Sequence, residues 1–453
     1  MYRFVFFFSL YLLAVTGFGQ QTITLQQLYD LADRQTTKIL VSQMGLMAAS
    51  TAVDEARSAR LPSVEVSLSE SYIGDATLMS RGFSTMGFTD VVIPGLGPQK
   101  VELGQQSTPH WGNMFSIKAS QVVYAGGAIT AGIKMAELNE QMAKLDVEKN
   151  RQEVRFLIAG LYLDLYKLNN QITVIDKNIA LTNKLIDNMQ SRYEQGTALR
   201  NDVTRYQVQL QDMELSKVKL SEAKSIINHQ LTTMLHQPSD VVFEPDSLAL
   251  ENEYQAIRAV APQSHWLDIA QNNHIALKQA SVATEIAEQK IIATKAESLP
   301  KIAVVVEDNF FGPFTNDLIP VNANVNTWFV GIGMKYNLSS LWKNKNHVTH
   351  ARIEADMSRQ QESLVREHLD IDVNSCYSKI ITSMTEVTTQ EKQLELAKQN
   401  YNVVNNRYQN GLALLTDMID ASNLLLAAEI SLVNARAEMI YNYFSLKYTT
   451  NTL

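Results

Sequence analysis

Two kinds of hydrophobic spacing divide this chain. Four short stretches alternate polar and apolar residues, and most of the remainder repeats apolar residues every three or four positions. Ser63-Val64-Glu65-Val66-Ser67-Leu68-Ser69 leads to Tyr72, and within Trp111–Tyr124 the residues Phe115, Ile117 and Ala119 alternate with Ser116, Lys118 and Ser120. Ile302–Phe310 and Thr327–Leu338 repeat the pattern. In the last, Trp328, Val330, Ile332, Met334 and Tyr336 share one face, and Gly331, Gly333, Lys335 and Asn337 the other. Period two predicts strands with one apolar and one wet face.

The helical spacing is clearest between Ala128 and Tyr193. There Leu165, Leu168, Ile172, Ile175, Ile179, Ile186, Met189 and Tyr193 form a coiled-coil seam interrupted only by Thr182. At 1.5 Å per residue, about 66 residues span roughly 100 Å. A return helix is predicted over Asp202–Leu235, then an interruption with three prolines at 236–263, then a helix over Trp266–Ser298. Thr24–Arg60 reads as two short helices broken near Arg34–Lys38. A second long helix is predicted from about Lys345 to Tyr408, with its return from Asp417 to about Tyr448. All ten prolines fall outside 110–237 and 321–453, as long helices require.

The chain is built twice. Arg192–Val203, RYEQGTALRNDV, comes back at Arg407–Met418 as RYQNGLALLTDM, and each copy lies between two heptad-patterned segments. A glycine there predicts a helix C-terminal cap and tight turn, with the aspartate opening the next helix. The junction Leu61-Pro62 returns at Leu299-Pro300, each time between a helix and an alternating strand. Repeats of this length mean one structural unit used twice. The predicted boundaries are a leader at 1–20, a first repeat at 21–245 and a second at 246–453. The first holds strands near 63–73 and 111–124 and a helical hairpin near 128–235. The second holds strands near 302–310 and 327–338 and a hairpin near 345–448.

Composition narrows the setting. One basic residue, Arg3, precedes the apolar run Phe4–Val15 and the small residues Thr16, Gly17 and Gly19, which is the pattern of a secretory signal peptide cleaved near Gly19–Gln21. No cysteine follows the cleavage region, so lipidation there is not expected, and the lone Cys376 has no intramolecular partner. A net charge of −8 argues against nucleic acid as the main partner. No further run is long and apolar enough for a transmembrane helix. Four strands whose apolar faces meet lipid cannot be left open, because unpaired backbone edges in hydrocarbon are costly. Four are too few to enclose a lumen, whereas three chains supply twelve. Tyr72, Trp111, Trp328, Tyr336 and Trp342 are placed for interfacial aromatic belts, with outer-membrane lipid as a partner.

The signal peptide, the duplicated strand–loop–strand with helical hairpin, the Leu-Pro junctions and the RYxxGxALxxD tips together resemble the TolC-like outer membrane efflux proteins, over essentially the whole mature chain. The resemblance implies a mainly α fold with a small β part. It implies a homotrimer with a 12-stranded transmembrane β-barrel continuous with a periplasmic α-helical barrel. By implication the chain is an exit duct in the outer membrane, serving tripartite efflux or type I secretion through a periplasmic adaptor and an inner-membrane pump. Carried over by position, Asp417 and Asp420 are the pore aspartate rings. Asp202 and Tyr408 match the gate's closing pair, and Gly196 and Gly411 mark the tips that dock the adaptor. The family's closing arginine is here Ala413, and Arg200 is the candidate substitute.

Simpler readings stand beside these. Asp202 and Asp417 also suit helix N-caps, whereas Asp420 has no capping reason. His347, His350 and Glu354 have metal-compatible helical spacing but read as a solvated face, as do Lys343 and Lys345, which meet either headgroups or lumen water. The loop Gly74–His110 either covers the outer mouth or lacks structure of its own. No nucleophile–base pair, phosphate loop or Cys/His metal pattern is present, so neither enzyme activity nor a cofactor is expected. The alternative is a periplasmic adaptor or coiled-coil scaffold protein.

Overall fold

The computed structural model describes residues 21–72, 91–93, 97–99, 111–313 and 323–453. The expected leader, most of the 74–110 loop and residues 314–322 lie outside them. In chain order the elements are β1 (Gln21–Ile23), α1 (Leu25–Gln35), α2 (Thr37–Ser58), β2 (Ser63–Tyr72), β3 (Val91–Ile93), β4 (Gly97–Gln99), β5 (Trp111–Tyr124), α3 (Ala128–Glu194) and α4 (Arg200–Met234). Then follow β6 (Phe243–Pro245), α5 (Ser247–Ile257), α6 (Gln263–Asn273), α7 (Ile275–Ala296), β7 (Lys301–Gly312), β8 (Val325–Lys335), α8 (Ser340–Gln409) and α9 (Leu415–Thr449). The chain forms two compact units: one from the segments up to Ala49, Asn139–Thr284 and Met357–Leu453, the other from Ser50–Leu138 and Glu285–Asp356.

The first unit is helical, and its apolar stripes meet in one core. Leu28, Ile39, Ile158, Tyr162, Leu165, Leu231, Ile257, Val373, Ile380, Ile440 and Leu446 are buried there. The expected α3 seam is buried at Leu165, Leu168, Ile175 and Met189 but exposed at Tyr193. The polar member Thr182 donates to Met213 Sδ at 3.7 Å. Two further buried amides reach across to α9: Gln171 donates to Asn434 Oδ1 at 2.6 Å, and Asn178 to Glu429 Oε2 at 3.2 Å. Helix α9 is long and apolar enough by composition to cross a membrane, but Ala435, Met439, Ile440, Phe444 and Leu446 belong to this core.

The proline-bearing interruption carries structure that the alternating pattern does not reveal. Strand β6 pairs in parallel with β1, Gln21 facing Phe243 and Ile23 facing Pro245. Buried Asn228 holds the approach, donating to Val241 O and accepting from Phe243 N–H. The Tyr162 hydroxyl donates to Ile23 O and accepts from Asp246 N–H, both at 2.9 Å. Burial pushes its pKa up to about 12, so it remains a donor at every physiological pH.

One expectation is corrected here. The helix predicted over Trp266–Ser298 is two helices, α6 and α7, broken at His274 (φ −61°, ψ 126°). The break matches the one at Thr36 between α1 and α2 (φ −66°, ψ 124°). In both, the break residue's N–H still bonds back to an alanine carbonyl four residues earlier, Ala32 or Ala270.

The second unit is organised by an antiparallel sheet of order β2-β5-β7-β8. Its register sorts most side chains as the alternation predicts, with Glu70, Asn113 and Asp308 falling on the apolar face and Phe329 on the polar one. Val64, Val66, Leu68, Tyr72, Trp111, Phe115, Ile117, Val306, Phe310, Trp328, Val330, Ile332 and Met334 share one face and are exposed. Ser63, Glu65, Ser67, Ser69, Ser116, Lys118, Ser120, Glu307 and Asn309 share the other. Helices α2 and α7 end the same way, their last turns closing through tight i→i−3 bonds up to Leu61 and Leu299 before a proline starts the strand. Gly126 (φ +64°) lets β5 turn into α3; a Cβ there would lie 2.9 Å from Leu299 Cβ and 3.1 Å from Ala296 O. Within the 74–110 segment, β3 and β4 form a short antiparallel pair. The strands predicted at 302–310 and 327–338 are β7 and β8. Tyr336 therefore lies just beyond its strand, and Trp342 lies in the first turn of α8.

Two outcomes are expected. Tyr162→Phe removes the group serving both Ile23 O and Asp246 N–H, so thermal unfolding in detergent is expected to show a loss of about 1–3 kcal/mol. Burial holds the His274 pKa down against a smaller upward pull from Asp372. The folded chain thus binds this proton less tightly than the unfolded one, whose value is about 6.5. The stabilisation is complete above that value and is lost as pH falls below it. His274→Gln is expected to flatten the acid-side decline of the melting temperature below about pH 6.5.

Candidate functional site at the two hairpin tips

The repeated tip sequence folds into the same turn twice. At the end of α3, Thr197 N–H bonds Arg192 O at 2.8 Å and Gly196 N–H bonds Tyr193 O at 2.9 Å. At the end of α8, Leu412 N–H bonds Arg407 O at 2.8 Å and Gly411 N–H bonds Tyr408 O at 3.0 Å. This is the Schellman arrangement, which needs a left-handed residue at its fifth position. Gly196 (φ +75°) and Gly411 (φ +73°) supply it. A Cβ at either would meet nothing within 4 Å, so glycine is needed there for its backbone conformation and not for space.

Each aspartate opens its return helix, but as the third helical residue and not as the N-cap. The caps are Leu199 and Leu414, whose side chains hold no acceptor. Asp202 Oδ2 accepts from Leu199 N–H at 3.1 Å, and Asp417 Oδ2 from Leu414 N–H at 3.0 Å. This is the carboxylate half of a capping box without its hydroxyl half, and it adds negative charge at the positive end of each helix. The N-cap expectation is therefore corrected by three positions.

The remaining polar residues divide sharply. Asp420 is exposed, one helical turn from exposed Asp417, and has no hydrogen-bond or ion-pair partner among the described residues. Arg200 is exposed at the first position of α4 with no ion pair among them. Tyr408 turns inward: its hydroxyl reaches Met189 Sδ at 3.8 Å, and Arg192 lies over its ring at 5.7 Å from the centroid. Within one chain the Asp202 carboxylate is occupied by its own helix start, and no hydrogen bond joins it to Tyr408.

A small apolar cluster, separate from the main core, ties the tips together. Met189, Val203, Tyr206 and Leu415 are buried in it, with Leu185, Ile186, Ala198, Tyr408 and Ile419 against them. Tyr206 is only 1% exposed and its hydroxyl has no partner. Burial pushes Tyr206 and Tyr408 above the ordinary tyrosine value; for Tyr408, Arg192 opposes this and Asp202 adds to it. Sequence reasoning gave Arg192 and Tyr206 no role at the tips and read Met189 only as a member of the α3 seam. The repeat itself holds a partial signal, since Arg-Tyr occurs in both copies, yet Tyr193 is 41% exposed while its counterpart Tyr408 packs.

In the sheet unit, Tyr72 and Trp111 face each other at one strand end with ring centroids 5.3 Å apart, whereas exposed Trp328, the fourth residue of β8, lies in the row of Val66 and Ile117. Exposed Tyr336 and Trp342 lie at the other strand end. His350 Nδ1 is 3.6 Å from Glu354 Oε1, but Lys290 takes the other Glu354 oxygen at 2.8 Å. Among the described residues no group of three or more His, Cys, Asp or Glu is placed to hold a metal.

Two helical hairpins closed by the same turn and a four-stranded sheet with exposed apolar side chains make up the fold. The outer membrane efflux protein family model matches residues 28–236 and 266–451, and the chain belongs to that family. It is 20% identical over 454 residues to the outer membrane protein TolC of Salmonella enteritidis, covering 97% of this chain and 85% of that one. It is 18% identical over 341 residues to the outer membrane efflux protein BepC of Brucella suis, covering 74% and 72%. Its fold matches the crystal structure of the outer membrane protein VceC of Vibrio cholerae with a TM-score of 0.73 at 14% identity, over 94% and 95% of the two chains.

The tip geometry predicts a local effect. Gly196→Ala or Gly411→Ala is expected to destabilise its hairpin by about 1–2 kcal/mol through the left-handed backbone alone. Asp202→Ala is expected to speed hydrogen exchange at the Leu199 amide, and Asp417→Ala at Leu414, with the rest of each helix unchanged.

Proposed function

We propose that three copies of this chain assemble in an outer membrane as an exit duct, with twelve strands closing a barrel and the helical hairpins continuing it into the periplasm. The observation that carries this reading is the sheet. Its apolar face is exposed, its other face is rich in serine and charge, and the outer edges of β2 and β8 have no strand partner among the described residues. Edge pairing with neighbouring copies satisfies those backbone groups, and lipid covers the apolar face. Exposed apolar positions at helical spacing support the same assembly: Val41, Met44 and Met47 on α2, Met357, Leu364 and Ile371 on α8, and Leu215 and Val218 on α4. A leader removed on export, with no lipid attached, fits this location.

The duct passes substrates outward from an inner-membrane pump and a periplasmic adaptor. Gly196 and Gly411 are the tips that meet the adaptor. An apolar groove of about 790 Å³ between α4 and α9, lined by Val208, Met213, Ile419 and Leu426, suits a second helical hairpin of such a partner. Asp417 and Asp420 repeat around the threefold axis as carboxylate rings that favour cations. Asp202, Tyr408 and Arg200 serve as gate contacts, and the Met189–Tyr206–Leu415 cluster keeps each pair of tips together. Tyr72 and Trp111 form one interfacial belt and Tyr336 and Trp342 the other.

The test is planar-bilayer conductance of the purified, detergent-extracted protein. A cation-selective channel is expected, with the preference reduced in Asp417→Ala and Asp420→Ala. A channel indifferent to both substitutions removes the rings from these positions. Protein that needs no detergent and forms no channel contradicts the duct and returns the adaptor or scaffold reading.

A further inference from the structure

The polar face of the sheet concentrates its charge in a single row. Glu65 on β2 lies directly opposite Lys118 on β5, and Lys118 directly opposite Glu307 on β7. Lys118 Nζ is 3.9 Å from Glu307 Oε2, and Asn309 Nδ2 donates to Glu307 Oε1 at 2.9 Å. On β8 the row ends at Phe329. The neighbouring rows of this face are uncharged: Ser67, Ser116, Asn309 and Thr327 to one side, and Ser63, Ser120, Val305 and Gly331 to the other. Among the described residues of this face, charge returns only where Lys301 and Lys335 face each other at the strand ends.

Sheet stabilisation explains the Lys118–Glu307 pair, since opposite charges placed directly across an antiparallel ladder attract. The same rule covers Glu65, directly opposite Lys118, but the row still carries two carboxylates for one ammonium, and Glu65 is exposed. We propose that the row Glu65–Lys118–Glu307 is an electrostatic filter at one level of the barrel, favouring inorganic and organic cations over anions there independently of the tip aspartates. This rests on the reading that the polar face lines the duct. Three copies place three surplus negative charges around one level, and fixed charge lining a pore of low-dielectric wall sets which ions enter. Phe329 closes the row on β8 beside Glu307, and Gly331 in the next row adds no side chain.

The experiment uses full-length protein in bilayers under a salt gradient, with Asp417→Ala and Asp420→Ala present to remove the charge of the tips. A residual cation preference is expected, falling about twofold on Glu65→Gln and again on Glu307→Gln, and rising on Lys118→Met. Each change is expected to be larger at 0.1 M than at 1 M salt. The swap Lys118→Glu with Glu307→Lys keeps the net charge and is expected to keep the preference, which separates a charge effect from misfolding. A second readout does not use conduction. Ser67→Cys, in a Cys376→Ser background, is reacted with cationic and anionic methanethiosulfonates, and the cationic advantage is expected to drop on adding Glu65→Gln. Preference and labelling ratio both indifferent to these charges, in channels of undiminished conductance, overturn the filter and leave the duct standing. A wild-type protein that forms no channel overturns the duct and with it the filter, whatever the labelling ratio.

Discussion

A sheet that turns its apolar side chains outward and, among the described residues, leaves both edges unpaired imposes the constraint on which the rest of this protein depends. Backbone N–H and C=O groups of β2 and β8 need partners wherever water is absent. The side chains of Val64, Leu68, Trp328 and Ile332 need an apolar surrounding. No rearrangement within one chain meets both needs, because the register that pairs Val66 with Ile117 also pairs Ser67 with Ser116. Closure with further copies in a bilayer meets both at once. The Leu-Pro junctions, and Gly126 against Leu299, exist to deliver long helices into and out of strands without breaking this register.

The helical unit solves a different problem with the same duplication. Long antiparallel helices have ends that must be satisfied in water, and the Schellman turns at Gly196 and Gly411 with carboxylates at Asp202 and Asp417 do this identically in both hairpins. Function is added where the copies diverge. Tyr408 packs against Met189 beneath Arg192, whereas Tyr193 faces solvent, so one hairpin supplies the wedge and the other the socket. Asp417 and Asp202 both cap, but only the second hairpin carries the unpaired Asp420 one turn further on. Capping uses Oδ2 of Asp417 and leaves its charge in place, so it is compatible with the proposed pore role.

Much of this was legible in the sequence. Period-two alternation placed the four long strands and their faces, and the proline-free intervals placed the long helices. The repeated RYxxGxALxxD located both tips, because only a left-handed glycine closes such a turn. The misses have physical reasons. Asp202 and Asp417 were set three positions wrong because the actual caps are leucines, which lack the acceptor that marks a cap. Strands β1 and β6 are three residues long, too short for any periodicity to register. The break at His274 carries neither glycine nor proline, since a single extended residue that keeps its N–H bonded suffices. The tip cluster was hidden because heptad spacing identifies which residues pack, not which of two equivalent tyrosines does so.

The account stands or falls on how the open sheet is closed, and electron cryomicroscopy of the detergent-extracted protein tests that most directly. The predicted result is a threefold particle in which β8 of each copy pairs with β2 of the next, giving twelve strands that surround a lumen lined by Ser67, Ser116 and Lys118. A single chain with both edges free, or a particle whose apolar sheet face packs against helices away from detergent, would contradict it.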